Sequence, residues 1–261
     1  MADPVFVARE GELAQLWQFL DRALSSQGQV CFVTGEAGSG KTALVTEFAR
    51  RVQERHGDLV AAIGQCDAHT GIGDPYLPFR EVLCQLTGDV EGKLARGAIT
   101  QENASRLRKL VVVSGQILVE VAPDLVGLFV PGAHIVGELG KALADKAGWM
   151  DKLEALAKQP KPGRSGLDQS QVFEQYTNVL IALAEKQPLL LILDDLHWAD
   201  DGSTGLLFRL GRSLSRSGGP NRRTRALGTS RRPVGSLRHH VGVGEGARAH
   251  RHASGGVTKR S

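Results

Sequence analysis

The residues of this sequence that most clearly could do chemistry form the stretch Gly35-Glu36-Ala37-Gly38-Ser39-Gly40-Lys41-Thr42. This stretch matches the pattern G-x-x-x-x-G-K-[ST], in which glycines let successive backbone N–H groups turn inward around a phosphate. A lysine at this position reaches the β- and γ-phosphates of a nucleotide, and the following hydroxyl ligates Mg²⁺. We therefore predict that the stretch binds a nucleoside triphosphate, that Lys41 holds its phosphates and that Thr42 binds Mg²⁺.

The elements that must position this loop are visible on both sides of it. Residues 29–34 (QVCFVT) are β-branched and aromatic and predict a strand, and residues 43–52 (ALVTEFARRV) predict a helix. A strand, a glycine loop and a helix in this order give the loop a fixed start and place the positive end of the helix dipole at the bound phosphate.

A second group of residues that could do chemistry, two aspartates, stands at the end of the apolar run at residues 189–195 (LLLILDD). Five aliphatic residues predict a strand that is buried on both faces, as a central parallel strand should be. Two carboxylates then emerge at its carboxyl end, where open α/β sheets hold their ligands. Beside a phosphate-binding loop, we predict that Asp194 holds Mg²⁺ and that Asp195 orients or deprotonates the attacking water.

The segment from Asp194 to Asp200 (DDLHWAD), together with GEAGSGKT at residues 35–42 and FVARE at residues 6–10, carries a family resemblance. It resembles the STAND class of signalling ATPases. It is most similar to the AAA-type modules at the front of large LuxR-type regulators and of some adenylate cyclases, which are related to origin-recognition-like ATPases. The resemblance covers roughly residues 5 to 212.

This resemblance implies an α/β fold of the P-loop NTPase type, a doubly wound parallel sheet flanked by helices. An extra strand would lie between the strand before the glycine loop and the strand that ends at Asp194. It also implies slow ATP hydrolysis, with ATP, ADP and Mg²⁺ as ligands, that serves as a conformational switch in signalling or transcription regulation. Self-association is a further expectation.

The resemblance also extends the predicted nucleotide site towards the start of the chain. The N-terminal motif of the family reads V-G-R-E, and in this sequence Ala8 replaces its glycine. By this resemblance Phe6, Val7 and Arg9 are predicted to contact the adenine or the phosphates.

The chain divides into two kinds of sequence. Residues 1–210 carry 20 Lys and Arg against 27 Asp and Glu, a net charge of −7, whereas residues 211–261 carry 12 against one, a net charge of +11. We predict a P-loop ATPase domain over residues 1–212, with a helical insertion at about 80–165, and a disordered Arg/Gly/Ser-rich tail over residues 213–261. The tail has no aromatic residue and ten glycines, so we expect no buried strand in it.

Two explanations of the basic tail remain open. One is an arm that binds nucleic acid through its phosphates, which would make the protein a nucleic-acid-binding protein. The other is a shift of reading frame near residue 212, which would leave an inactive, truncated remnant of a larger transcriptional regulator. Arg225 to Pro233 only faintly resembles the sensor strand that the family would place there.

The remaining composition is typical of a cytoplasmic globular protein. The chain shows no apolar signal segment at its start, and its longest apolar region, residues 110–130, is interrupted by Glu120, Pro123 and Asp124. We therefore expect no membrane contact. Three cysteines with no C-x-x-C pair predict reduced thiols in the core.

Overall fold

The computed structural model describes residues 9–25, 29–67, 75–130, 168–216, 224–230 and 240–242, with short pieces between residues 137 and 155. Its centre is a five-stranded sheet in the order β2-β3-β4-β1-β5. All four neighbouring pairs are parallel. The strands are β1 (Gln29–Thr34), β2 (Val60–Gln65), β3 (Leu189–Asp194), β4 (Thr224–Ser230) and β5 (His240–Gly242).

Among the described residues, helices lie before β1 and between β1, β2, β3 and β4 in the chain. In chain order the α-helices are α1 (Glu10–Ser25), α2 (Lys41–Arg55), α3 (Leu77–Leu86), α4 (Glu91–Ala95), α5 (Gln101–Val121), α6 (Pro123–Phe129), α7 (Gly140–Leu143), α8 (Gln169–Lys186) and α9 (Asp201–Arg216). Two of them begin at a residue whose side chain caps the first turn. The Thr100 hydroxyl accepts a hydrogen bond from the Asn103 N–H at the start of α5, and Asp168 accepts one from the Ser170 N–H at the start of α8.

The two faces of the sheet are covered by different helices, so the architecture has three layers. Leu189, Leu191 and Leu193 of β3 join the core under α3, α5, α6, α8 and α9. Leu190 and Ile192 join the core under α1 and α2. Successive side chains of a strand point to opposite faces, so a strand covered on both sides must be apolar throughout. All six residues of β3 are buried, as the sequence predicts.

The expectation that residues 211–261 supply no strand to the sheet is wrong. Strand β4 lies within the predicted tail and pairs with β1 on one side and with β3 on the other. The segment has few apolar side chains to bury, which is why its composition predicts no strand. A strand between two others also gains backbone hydrogen bonds along both of its edges, which its side chains do not reveal.

Helix α9 also continues to Arg216, past the boundary predicted at residue 212. The family resemblance implied an extra strand between the glycine-loop strand and the Asp194 strand. Strand β4 takes this place, since it lies between β1 and β3 in the sheet. The prediction of disorder for residues 217–223, 231–239 and 243–261 concerns positions outside the described residues.

The outer edge of β2 is closed by side chains. The Asn103 side chain donates to the Ala61 carbonyl at 2.8 Å and accepts from the Ala61 N–H at 3.1 Å. Gln85 makes the same pair of bonds to Ile63, at 2.6 and 3.1 Å. One step further along, Glu81 Oε2 accepts from the N–H of Gln65 at 2.9 Å. Three alternate residues of this edge are thus paired without a neighbouring strand.

No single described helix is both long and apolar enough to cross a membrane. Helices α5 and α6 reach that length and composition only together, and they meet at a bend of 114°.

The three cysteines, Cys31, Cys66 and Cys84, are buried and unbridged, which confirms the prediction of reduced core thiols. Burial raises the pKa of each thiol to about 12. These thiols are therefore protonated and unreactive at neutral pH.

Candidate functional site

The glycine loop occupies residues 35–40, between the end of β1 and the first residue of α2. Gly38 and Gly40 have φ angles of 78° and 73°, in the left-handed region that a side chain would strain. The backbone N–H and hydroxyl of Ser39 both donate to the Glu36 carbonyl, at 3.3 and 2.8 Å. The loop therefore turns back on itself directly before the N-terminus of α2, as the sequence pattern predicts.

Lys41 is held against this loop. Only 8% of the residue is exposed, and its ammonium donates to the carbonyls of Gly35 and Glu36 at 3.1 and 2.7 Å. A buried ammonium needs such partners, because an unpaired charge would be costly to remove from water. The contacts place a positive charge beside the backbone that the motif assigns to phosphate binding.

Thr42 and Asp194 are 152 positions apart in the chain but are in direct contact. The Thr42 hydroxyl donates to Asp194 Oδ2 at 2.7 Å. Asp194 is 5% exposed, and its Oδ1 accepts from the N–H of Asp195 at 2.9 Å. The fold thus joins the two residues predicted to bind Mg²⁺, and a hydroxyl beside a carboxylate is an oxygen ligand set that suits this hard cation.

Asp195 follows Asp194 but lies in a different environment. Its φ of 55° is left-handed, a conformation that aspartate tolerates better than most residues, and it turns the chain from β3 into the 3₁₀ turn Leu196–Trp198. Its side chain is 39% exposed, with Oδ1 3.6 Å from Nδ1 of His197. One carboxylate is therefore buried against the loop, while the next faces solvent beside it.

Arg9 also reaches the glycine loop. Its Nη2 donates to the Ser39 carbonyl, and a Cβ on Gly40 would lie 3.2 Å from the same nitrogen. Its Nη1 is buried and makes no hydrogen bond to the described residues. A guanidinium with an orphaned buried donor at this position fits a phosphate ligand. Phe6 and Val7, predicted as adenine contacts, lie outside the described residues.

Asp200 is a structural residue of the site that sequence reasoning missed. Its Oδ1 caps α9 by accepting from the Ser203 N–H at 2.9 Å, and its Oδ2 accepts from the Tyr76 N–H at 3.1 Å. The spacing of Asp200 and Ser203 is a capping signal that the sequence does contain. The bond to Tyr76, which has a φ of 64°, could not be inferred from local pattern.

Taken together, a strand, a glycine loop, a buried lysine and a hydroxyl paired with a strand-terminal aspartate define the class of P-loop nucleoside triphosphatases. The family model described as "AAA ATPase domain" matches residues 5–222. The chain therefore belongs to the AAA ATPase domain family and is a nucleotide-binding ATPase module. This confirms the AAA-type part of the resemblance, and AAA domains typically use Mg²⁺ with the nucleotide.

A curated relative extends the comparison. An uncharacterized protein of Rhizobium meliloti (strain 1021) is 23% identical over 215 residues, which cover 80% of this chain. The same match covers 17% of that protein, so the chain spans about one sixth of its relative's length.

Proposed function

We propose that this chain is a regulatory switch module of the STAND type, which binds ATP with Mg²⁺ and hydrolyses it slowly. The observation that carries the proposal is the contact of Thr42 with Asp194. It links the phosphate-binding loop to the strand whose end bears the second carboxylate. A nucleotide held by the loop therefore acts directly on the turn that carries the DDLHWAD segment.

Different described residues would contact different parts of the nucleotide. The loop from Gly35 to Gly40 offers backbone N–H groups, and Lys41 and Arg9 add positive charge on two sides of it. Thr42 and Asp194 would hold the cation, which supplies charge neutralisation at the phosphates. Lys41 would exchange its two carbonyl partners for phosphate oxygens.

Asp195 is proposed to prepare the attacking water. Its side chain faces solvent at the carboxyl end of β3, next to the buried Asp194. A carboxylate in this position can accept a proton from water, or orient it, in a site built mainly for positioning.

The first experiment tests binding. Calorimetric titration of Mg-ATP and Mg-ADP into the full chain should give dissociation constants near the micromolar range, about −8 kcal/mol. Lys41→Ala should abolish the heat, because it removes the buried cation of the loop. The matched control is Lys186→Ala, an exposed lysine at the end of α8, which should bind like the wild type. Equal affinity in Lys41→Ala would refute the assignment of the loop.

The second experiment separates binding from hydrolysis. Asp195→Asn should retain Mg-ATP affinity and lose phosphate release, whereas Asp201→Asn, an exposed acid in the first turn of α9, should change neither. Unchanged turnover in Asp195→Asn would show that another group prepares the water. The switch itself predicts that ATP and ADP leave different patterns of amide exchange in the DDLHWAD segment. Identical patterns would contradict it.

A further inference from the structure

A cavity of about 520 Å³ lies apart from the glycine loop, between helices α3, α4 and α6. All of its lining residues fall between Leu77 and Val130, so it shares none with the nucleotide site. Its volume is in the range of about 300–1,000 Å³ that small-molecule sites occupy. Nothing in the nucleotide chemistry described above requires it.

The two walls of this cavity differ in character. The end of α6 contributes an apolar wall, in which Leu128 is partly exposed and Phe129 and Val130 are almost fully buried. The rest of the lining, from α3, α4 and the residues next to them, contains charged side chains. A ligand that satisfies both walls must have an apolar part and a charged part.

The charged wall is positive. It contains three cations, Arg80, Lys93 and Arg96, and two carboxylates, Glu81 and Asp89. The net charge of these five residues at neutral pH is therefore +1, which favours an anion over a cation.

Lys93 is a buried charge in this wall. Its side chain is 10% exposed, and its ammonium lies 2.8 Å from Glu81 Oε2. A buried ion pair is a weak source of stability, because desolvation offsets most of the attraction. The same Glu81 oxygen accepts from the N–H of Gln65, so this ion pair is held in place from the side of the sheet.

Arg96 completes the cationic side. Its Nε donates to the Gly92 carbonyl at 3.0 Å, and its Nη2 is 3.9 Å from the position that a Cβ on Gly92 would take. The guanidinium of this exposed arginine therefore lies beside a residue without a side chain. Gly92 also lines the cavity, so no side chain fills the space below the guanidinium at that position.

We propose that this cavity binds a small organic anion with an apolar body. The anionic group pairs with Arg96, since Glu81 already neutralises Lys93, and the apolar body packs on Leu128. A carboxylate paired with a planar guanidinium gains two parallel hydrogen bonds, which makes Arg96 the main determinant of affinity.

Octanoate tests the proposal, with 1-octanol and acetate as probes for the body alone and the charge alone. Calorimetry on the full chain should show saturable 1:1 binding of octanoate below about 10 mM, with each partial probe at least about tenfold weaker. Arg96→Gln should weaken octanoate about tenfold. The matched control is Arg108→Gln, which alters an exposed arginine of α5 that pairs with Glu91 and does not line the cavity.

A second variant keeps the test independent of charge. Gly92→Leu places an aliphatic side chain at the cavity and should abolish octanoate binding while leaving the thermal transition of the protein intact. Octanol binding as tight as octanoate, or equal losses in Arg96→Gln and Arg108→Gln, would overturn the proposal. Binding of Mg-ATP is measured separately in each variant and should stay at the wild-type value, so failure of the nucleotide site would be seen on its own.

Discussion

Replacing Asn103 by leucine should destabilise the fold through the edge of the sheet. Asn103 is fully buried, and its side-chain amide satisfies both the N–H and the carbonyl of Ala61. Leucine has a similar size but neither donor nor acceptor, so the substitution leaves two buried backbone groups without partners. Each such group costs about 1–3 kcal/mol.

The expected loss is about 3 kcal/mol, because the added apolar surface of leucine recovers part of the cost of two orphaned groups. For a domain of this size, 1 kcal/mol lowers the Tm by about 2–4 °C, so Asn103→Leu should lower it by about 6–12 °C. Thermal and urea unfolding followed by circular dichroism measure the change. Amide exchange at Ala61 should accelerate in the variant beyond the effect of the global destabilisation.

Glu102→Leu is the matched control for this substitution. Position 102 is the exposed neighbour of Asn103 on α5, and the same residue introduced there leaves every strand group paired. We expect a change within about 0.5 kcal/mol. An Asn103→Leu protein as stable as Glu102→Leu would refute the reasoning, since the side-chain bonds to β2 would then contribute nothing.

Three further perturbations address the loop, the packing and the charges. Thr42→Val removes the hydroxyl at nearly constant size, so the affinity for ATP measured by calorimetry should become insensitive to Mg²⁺. The affinity for Mg-ATP should therefore fall by about tenfold or more. Gly64→Ala brings a Cβ to 2.0 Å from the Pro78 carbonyl oxygen, which forces α3 outward and should lower stability to urea by about 1–3 kcal/mol. Hydrogen bonds from Arg50 and its neighbour hold the pKa of Glu47 at about 2 rather than 4.5. The stability that this charged carboxylate contributes is thus present above pH 4.5 and lost as the pH falls towards 2. In a plot of the urea unfolding midpoint against pH, Glu47→Gln should therefore flatten the acid limb, along which the wild-type midpoint falls.

Each of these variants has a partner substitution that should leave the property unchanged. Thr42→Ser keeps the hydroxyl and should keep the Mg²⁺ dependence. Gly57→Ala adds a methyl group where nothing lies within 4 Å, so its stability should match the wild type. Glu185→Gln removes an exposed carboxylate of α8, away from Arg50, and should retain the acid limb. A Mg²⁺-dependent Thr42→Val, a fully stable Gly64→Ala or an unchanged acid limb in Glu47→Gln would each contradict the corresponding contact.

The parts of the site that sequence could predict are those coded by contiguous residues. Gly38, Gly40 and Lys41 belong to one loop whose geometry follows from its own glycines, and Asp194 is placed by an apolar run that can only be an inner strand. Their meeting through Thr42 follows from the parallel sheet, which brings the carboxyl ends of its strands to one side.

The parts that could not be predicted depend on pairing between distant segments. The composition of β4 gives a weak strand signal, and only its two neighbours in the sheet account for its position. Asn103 and Gln85 read as ordinary polar residues of amphipathic helices, although both face a strand edge. Tyr76 occupies a left-handed conformation that no local pattern requires, and its bond to Asp200 spans 124 positions.

The closed edge of β2 limits how this molecule can recruit other chains. An exposed edge strand offers a row of unpaired backbone groups to any extended segment, which permits both partner docking by strand addition and uncontrolled aggregation. On β2 the N–H and carbonyl of Ala61 and of Ile63, and the N–H of Gln65, are already occupied by side chains from α3 and α5. The β2 edge of the sheet is therefore closed to strand addition at these positions, and a second copy or a partner that approaches from this side meets helices α3 and α5.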